Sequence, residues 1–550
     1  MFKLKKYQQT TIQKLESYLK QTKKLEENGV VDSYKIIFNL LKPDTENDYK
    51  SSDPDLEVPF ICIKIPTGGG KTVVACNMLN IVHENYIEFD HTGLVIWLVP
   101  SDTIRTQTLK SLRDRNHPYR ETLDKHFQNN VKIFDVDEAL KNLKKSDIEN
   151  NLSIIVSTMS AFRRKQQNKK NLRVFQGNEN LDDFFQNILN DDILEKASDG
   201  TIIPHLINVF RKSNPIVIVD EGHNASSDLS RDMLKELNPS FVLEYTATPK
   251  DSNVLVSVSA KELQNENMIK LPITLANLDH WEKVVKAGVA ERERLEKIAK
   301  KEQKSTGEYI RPIALIQAEL EIEDKKRTYV QKIIDYLKSD CDISDEEIAI
   351  KTATIDEISD IDLRSDQCKI KYILTVNALK EGWDEPFPYV LISVANIESR
   401  ISVEQTIGRI MRLPNQKLKK NVELNQSFVF VSSRKYEEAA SALVKGLKIH
   451  GFSSNAIIQK GKKLTEINVF YREKKFIKEK IKIPFFAIKG EKKFRKLTYY
   501  EDLIGSDFDL TKQKTKDSFD FHYDESRKQT VDVDQKGKII WDKPKLFDIK

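Results

Sequence analysis

Nowhere does the sequence hold an apolar run approaching the roughly 18 consecutive residues that a membrane-spanning helix needs, so neither a helical span nor a membrane partner is expected. The opening MFKLKKYQQ has no apolar stretch behind its lysines, which argues against a secretory signal. Cysteine is scarce. Cys62, Cys76, Cys341 and Cys368 lie far apart with no CxxC pair, so neither a zinc site nor a disulfide framework is expected, and a reducing cytoplasm is the predicted location. No internal repeat and no low-complexity tract is visible, which sets solenoids and fibrous arrays aside.

What is present is a long, charged, globular chain. At 550 residues it exceeds what one core supports, and its 39% hydrophobic residues suffice for several domains. Charged residues make up 31%, above the usual quarter, yet the net charge is only +5. The distribution says more than the total. Between Lys460 and Lys496 there are fourteen Lys or Arg against four Glu, an excess of +10, so the remainder sums to −5. Such a concentration fits a phosphate-binding surface and, equally, a solvated lysine-rich face.

Short Val/Ile-rich runs alternate with helical stretches: VPFICIKI, GLVIWLVP, NLSIIVS, PIVIVDE and FVLEYTATP, then PIALIQAEL, EIAIKTAT, KYILTV, YVLISVA and SFVFVSS. Two successive series of this kind predict two α/β domains, each a doubly wound parallel sheet. The expected division is a helical segment at 1–50, a first sheet domain at 51–275, a charged helical link at 276–310, a second sheet domain at 311–432, and a smaller basic α+β domain at 433–550. The link, AERERLEKIAKKEQKSTGEY, shows no apolar face wide enough for a core and reads as an exposed helix.

The strongest local signal is Pro66-Thr67-Gly68-Gly69-Gly70-Lys71-Thr72, directly after ICIKI. Consecutive glycines let backbone N–H groups turn inward onto phosphate oxygens, Lys71 suits the β- and γ-phosphates of ATP, and the Thr72 hydroxyl suits Mg²⁺. The strict pattern asks for glycine five positions before Gly70, where this chain has Ile65. A second apolar run ends in Asp220-Glu221, a carboxylate for Mg²⁺ followed by one for the attacking water. His223 completes Asp-Glu-Gly-His and is expected to link this pocket to Thr246-Ala247-Thr248.

These motifs resemble those of the superfamily 2 helicases, the DEAD/DEAH-like motors built on two tandem RecA-like domains. PTGGGKT, DEGH and Thr246-Ala247-Thr248 match its first three motifs. Glu381-Gly382-Trp383-Asp384 matches the fifth, and Gln405-Thr406-Ile407-Gly408-Arg409-Ile410-Met411-Arg412 the sixth. Tyr7-Gln8 looks like the short element that contacts adenine. The resemblance implies nucleotide binding by Gln8, Thr67, Gly68, Gly69, Gly70, Gly382 and Asp384. It further implies catalytic roles for Lys71, Glu221, His223, Gln405, Arg409 and Arg412. The two arginines, three apart on a helix, share a face and suit an arginine finger that reaches the phosphates when the lobes close.

Within the superfamily the chain is most similar to the ATPase part of type III restriction endonuclease R subunits and related defence helicases. VPSDTIR, SVSAKELQNENMIKLPI and EGWDEPFPYVLIS, running into SVEQTIGRIMRLP, carry that likeness. It implies a motor on DNA, with duplex favoured and a single strand or RNA as alternatives. Ser101, Arg105, Thr158 and Thr375 are the expected backbone contacts. Trp383 reads better as a core residue than as a base-stacking one. The (D/E)xK triplets at Glu473, Glu491 and Asp534 follow no Pro-Asp on an apolar strand, so this chain is not expected to cut DNA. A methyltransferase, specificity or nuclease partner would complete such a system. Two other readings remain beside the translocase: an RNA helicase, and an ATP-gated clamp that recruits an effector nuclease.

Overall fold

Fourteen Val/Ile-rich or alternating segments form strands in two separate seven-stranded sheets. The computed structural model describes residues 3–43, 46–51, 57–87, 92–162, 173–186, 188, 191–221, 228–278, 280–318, 326–352, 355–358, 361–376, 385–394, 407–432, 457–460, 487–489 and 494–496. The first sheet comprises β1 (Phe60–Lys64), β2 (Gly93–Val99), β3 (Val131–Asp135), β4 (Leu152–Thr158), β5 (Ile216–Asp220), β6 (Phe241–Thr246) and β7 (Val254–Ser257). The second comprises β8 (Ile273–Leu278), β9 (Ile313–Gln317), β10 (Ile348–Lys351), β11 (Tyr372–Thr375), β12 (Pro388–Ser393), β13 (Ser427–Ser432) and β14 (Ile457–Lys460).

The orders are β3-β4-β2-β5-β6-β1-β7 and β10-β11-β9-β12-β13-β8-β14. Counted from the first strand of each, these are one and the same permutation, and every pairing within them is parallel. The chain therefore repeats one RecA-like topology, as the two series of runs predict. Period-two alternation explains the double winding. In β2, Val95, Trp97 and Val99 enter the core on one face, while Leu94, Ile96 and Leu98 enter the core on the other.

Two helices precede β1, Lys6–Glu27 and Ser33–Leu41, and the first packs on the helix that follows β1, Lys71–Val82. The segment read as an exposed link behaves differently from that expectation. Helix Trp281–Thr306 buries Val284, Val285, Val289, Leu295 and Ala299 against β9, β12 and β13. Its charges hid the stripe because they pair locally: Arg292 with Glu296 at 2.6 Å and Arg294 with Glu291 at 2.6 Å. Gly288 allows the close approach, since a Cβ there would lie 2.4 Å from Ile392 Cγ1.

Residues 464–550 form a second compact unit, described only at an antiparallel hairpin of β15 (Ala487–Lys489) and β16 (Phe494–Lys496). Most of the basic stretch Lys460–Lys496 lies outside the described residues. Among the described residues, no helix is long and apolar enough to cross a membrane.

Candidate active site

Strand order alone assembles the pocket. β6 lies between β5 and β1, with Asp220 beside Tyr245 and Thr246 beside Lys64. The carboxyl ends of these three neighbours carry Asp220-Glu221, Thr246-Ala247-Thr248 and the glycine loop, so three motifs distant in sequence share one edge. Backbone bonds continue past the strands: Glu221 N–H donates to Tyr245 O at 2.7 Å, and Ile65 N–H to Thr246 O at 3.0 Å.

The loop needs its glycines for different reasons. Gly68 (φ 85°) and Gly70 (φ 72°) adopt left-handed backbone, and Gly70 caps helix Lys71–Val82. Gly69 is required sterically, because a Cβ there would sit 2.4 Å from Ile65 Cγ2. The Gly69 carbonyl is gripped from the N-terminal helix: Tyr7 Oη donates to it at 2.6 Å and Gln8 Nε2 at 3.3 Å. Gln8 is fully buried, and its Oε1 accepts from Lys5 N–H at 2.9 Å. The residue expected at adenine thus braces the phosphate loop itself.

Lys71 Nζ donates to the Glu221 carboxylate, and Thr246 Oγ1 donates to its other oxygen at 3.2 Å. Thr248 N–H donates to Thr246 Oγ1 at 3.1 Å, which carries the order of the third motif into the acidic one. Glu221 holds a left-handed conformation (φ 53°) unusual for a side-chain-bearing residue, as strained functional positions do.

The second lobe meets this edge through Gly408 and Arg412. A Cβ on Gly408 would lie 3.0 Å from Thr67 Cγ2, and one on Gly68 would lie 3.7 Å from Arg412 Cγ and 3.5 Å from Ile269 Cγ2. Arg409 is buried and Arg412 half-buried, and desolvation of its guanidinium pushes the Arg412 pKa down to about 10. Sequence reasoning missed Tyr119, at the start of helix Pro118–His126. Its phenol, raised above its ordinary pKa by burial, shares a hydrogen bond with Thr72 and feels Arg412 and Asp220. No motif marks it; only the fold brings it there.

The expected nucleic-acid residues lie on the carboxyl edges of other strands. Ser101 and Thr158 sit beyond or at the ends of adjacent β2 and β4, and Thr375 ends β11. Thr158 and Thr375 are buried, Thr158 Oγ1 shares a bond of 2.8 Å with Ser160 Oγ, and Arg105 faces Asp102 at 3.0 Å and Asp135 at 3.7 Å. His223, Gly382, Trp383, Asp384 and Gln405 lie outside the described residues.

Residues 1–251 match the family model described as "Type III restriction enzyme, res subunit". In the comparison with curated proteins nothing matches. Similar solved structures include S. cerevisiae Dbp5 bound to RNA and ADP BeF3, 14% identical over 73% of this chain and 86% of that one, with a TM-score of 0.41. The ATP-dependent Type ISP restriction-modification enzyme LlaBIII bound to DNA is 13% identical over 74% of this chain, which spans 30% of that one, with a TM-score of 0.39. Mycobacterium smegmatis helicase Lhr bound to ssDNA and AMP-PNP is 13% identical over 71% and 46%, with a TM-score of 0.39. Residues 1–251, a little under half of the chain, thus match the Res-subunit family model, and the parallel-sheet topology found there repeats in the second lobe.

Proposed function

We propose that this chain hydrolyses ATP to move on double-stranded DNA, as the motor of a restriction or phage-defence system. One observation carries the reading: Arg412, on the second lobe, lies half-buried against the phosphate loop of the first. A phosphate pocket completed by an arginine from another lobe couples hydrolysis to lobe movement. A lone nucleotide-binding domain has no use for that arrangement. The preference for DNA rests on the family match of residues 1–251.

The chemistry follows from the side chains. The backbone of residues 67–70 cradles the phosphates, and Lys71 exchanges Glu221 for the β- and γ-phosphate oxygens. That exchange frees the Glu221 carboxylate to orient the attacking water and take its proton. Arg409 and Arg412 neutralise charge gathering on the γ-phosphoryl oxygens as the bond to the β-phosphate breaks. The Thr72 hydroxyl and Asp220 carboxylate are hard oxygen donors that fit Mg²⁺, which screens phosphate charge when bound. Gln8 acts through the loop it braces, and His223, Gln405, Gly382 and Asp384 take the roles their motifs imply. Ser101, Arg105, Thr158 and Thr375 face the nucleic-acid backbone once the lobes rearrange around it.

The rate of ATP hydrolysis on linear duplexes of increasing length tests this reading. A translocase consumes ATP faster on longer tracks until dissociation limits it. A length-independent rate would replace movement with clamping, and stimulation by RNA alone would replace DNA with RNA.

A further inference from the structure

We propose that Lys270 is a positioning residue that holds Arg412 at the phosphate loop, by fastening the segment crossing between the lobes to the turn that opens β12. The proposal rests on the ATPase reading above. The crossing segment, residues 266–272, leaves helix Ala260–Asn265 of the first lobe and enters β8 of the second sheet. On the way it makes a short antiparallel ladder with the end of the sixth motif. Lys270 N–H donates to Met411 O at 2.5 Å, Leu413 N–H donates to Met268 O at 3.1 Å, and Ile269 pairs with Arg412 between them. The backbone of Arg412 is therefore one side of a ladder whose other side is the crossing itself. Both flank Gly68.

The Lys270 side chain fixes the crossing on its far side. It is fully buried, its ammonium donates to Pro388 O at 2.5 Å and to Pro386 O at 3.1 Å, and it lies 3.7 Å from the centre of the Tyr389 ring. These carbonyls are within reach because the pairing of β12 with β9 shifts register between Pro388 and Val390. The turn they form follows residues 381–384, the fifth motif, by one residue. One cation thus joins the crossing, the sixth motif and the exit from the fifth.

Burying an ammonium is costly even when it is hydrogen-bonded, and a methionine would fill the same space without that cost. Burial indeed pushes the Lys270 amine well below its ordinary pKa, with Glu385 opposing the shift from a distance. The cation is explained by directional bonds that an apolar side chain cannot make. They hold the ladder, and with it Arg412, in one register. A misplacement of about 1 Å at such a site costs on the order of 10²-fold in rate.

The test compares Lys270→Met, Arg412→Ala and the double variant with the wild type. ATP hydrolysis is measured under saturating duplex DNA, with thermal melting to confirm folding. We expect Lys270→Met to lower kcat about 10-fold or more while KM for ATP stays within about twofold. We expect the double variant to be no slower than Arg412→Ala alone, because Lys270 acts through Arg412. Hydrogen–deuterium exchange should quicken in Lys270→Met over residues 266–272 and 409–414. A kcat within twofold of wild type, losses that multiply in the double variant, or unchanged exchange in those segments would overturn the proposal. If Lys270→Met does not fold, Lys270→Leu, which likewise donates to neither carbonyl, is judged by the same criteria. Loss of duplex-stimulated hydrolysis in the wild type would instead remove the ATPase reading, and the exchange experiment would still judge the ladder.

Discussion

Replacing Gly69 by alanine tests the phosphate loop without touching any group that carries charge. No left-handed backbone is needed at this position, so the effect is steric. The new Cβ would lie 2.4 Å from Ile65 Cγ2, 3.0 Å from Pro66 O and 3.3 Å from Leu263 Cδ2. Ordinary carbon contacts begin near 3.5 Å, so the loop must open by about 1 Å. It cannot drift freely, because Tyr7 and Gln8 hold the Gly69 carbonyl from the other side. Overpacking of this kind costs about 1–3 kcal/mol. If that cost falls on the phosphate-binding conformation, ATP affinity drops roughly 5- to 150-fold. Titration calorimetry with a non-hydrolysable ATP analogue reads this directly. Ile65→Leu removes the offending Cγ2 at nearly constant volume, which costs less than about 1.5 kcal/mol by itself. The double variant should therefore recover most of the lost affinity. Wild-type affinity in Gly69→Ala, or no recovery in the double variant, would refute the reasoning.

Other perturbations give distinct signatures. Burial holds the Arg412 guanidinium at about 10 against 12.5 when exposed, so the charged form costs stability throughout the range below about 10, and the cost fades as pH rises from there toward 12.5. Arg412→Met should then melt higher at neutral pH, by at most about 3 kcal/mol, and the gain should shrink above pH 10, while hydrolysis falls about 10³-fold or more. Tyr7→Phe leaves Gln8 alone on the Gly69 carbonyl; a loss of about 1 kcal/mol and a few-fold weaker ATP binding is expected from titration. Gly288→Ala drives a methyl into Ile392, and denaturant unfolding should show a loss of about 1–3 kcal/mol, less the helix propensity gained.

How much of this was legible in the sequence follows from the range of the interactions. The ten apolar runs all form strands, because burial on both faces leaves a continuous Val/Ile signal. β3, β7, β8 and β14 escaped it: each has at most six residues, and VKIFD and VLVS are too short for periodicity to speak. The charged helix at 281–306 was misread because Arg292 and Glu291 are buried by pairing, which composition does not reveal. The glycine loop and Asp220-Glu221 were legible since their spacing is local. Tyr119 and Lys270 were not, because their partners lie far away in sequence: Lys270 meets carbonyls 116 and 118 residues on. Gln8 is an expected nucleotide-site residue on sequence grounds, yet its contact with the loop depends on how the first helix packs.

The most direct measurement of the central claim is steady-state ATP hydrolysis without polymer and with single-stranded DNA, duplex DNA or RNA, using Glu221→Gln as the blank. The account predicts strong stimulation by duplex DNA that disappears in the variant, while the variant still binds nucleotide. Hydrolysis unaffected by every polymer, or undiminished in Glu221→Gln, would contradict it.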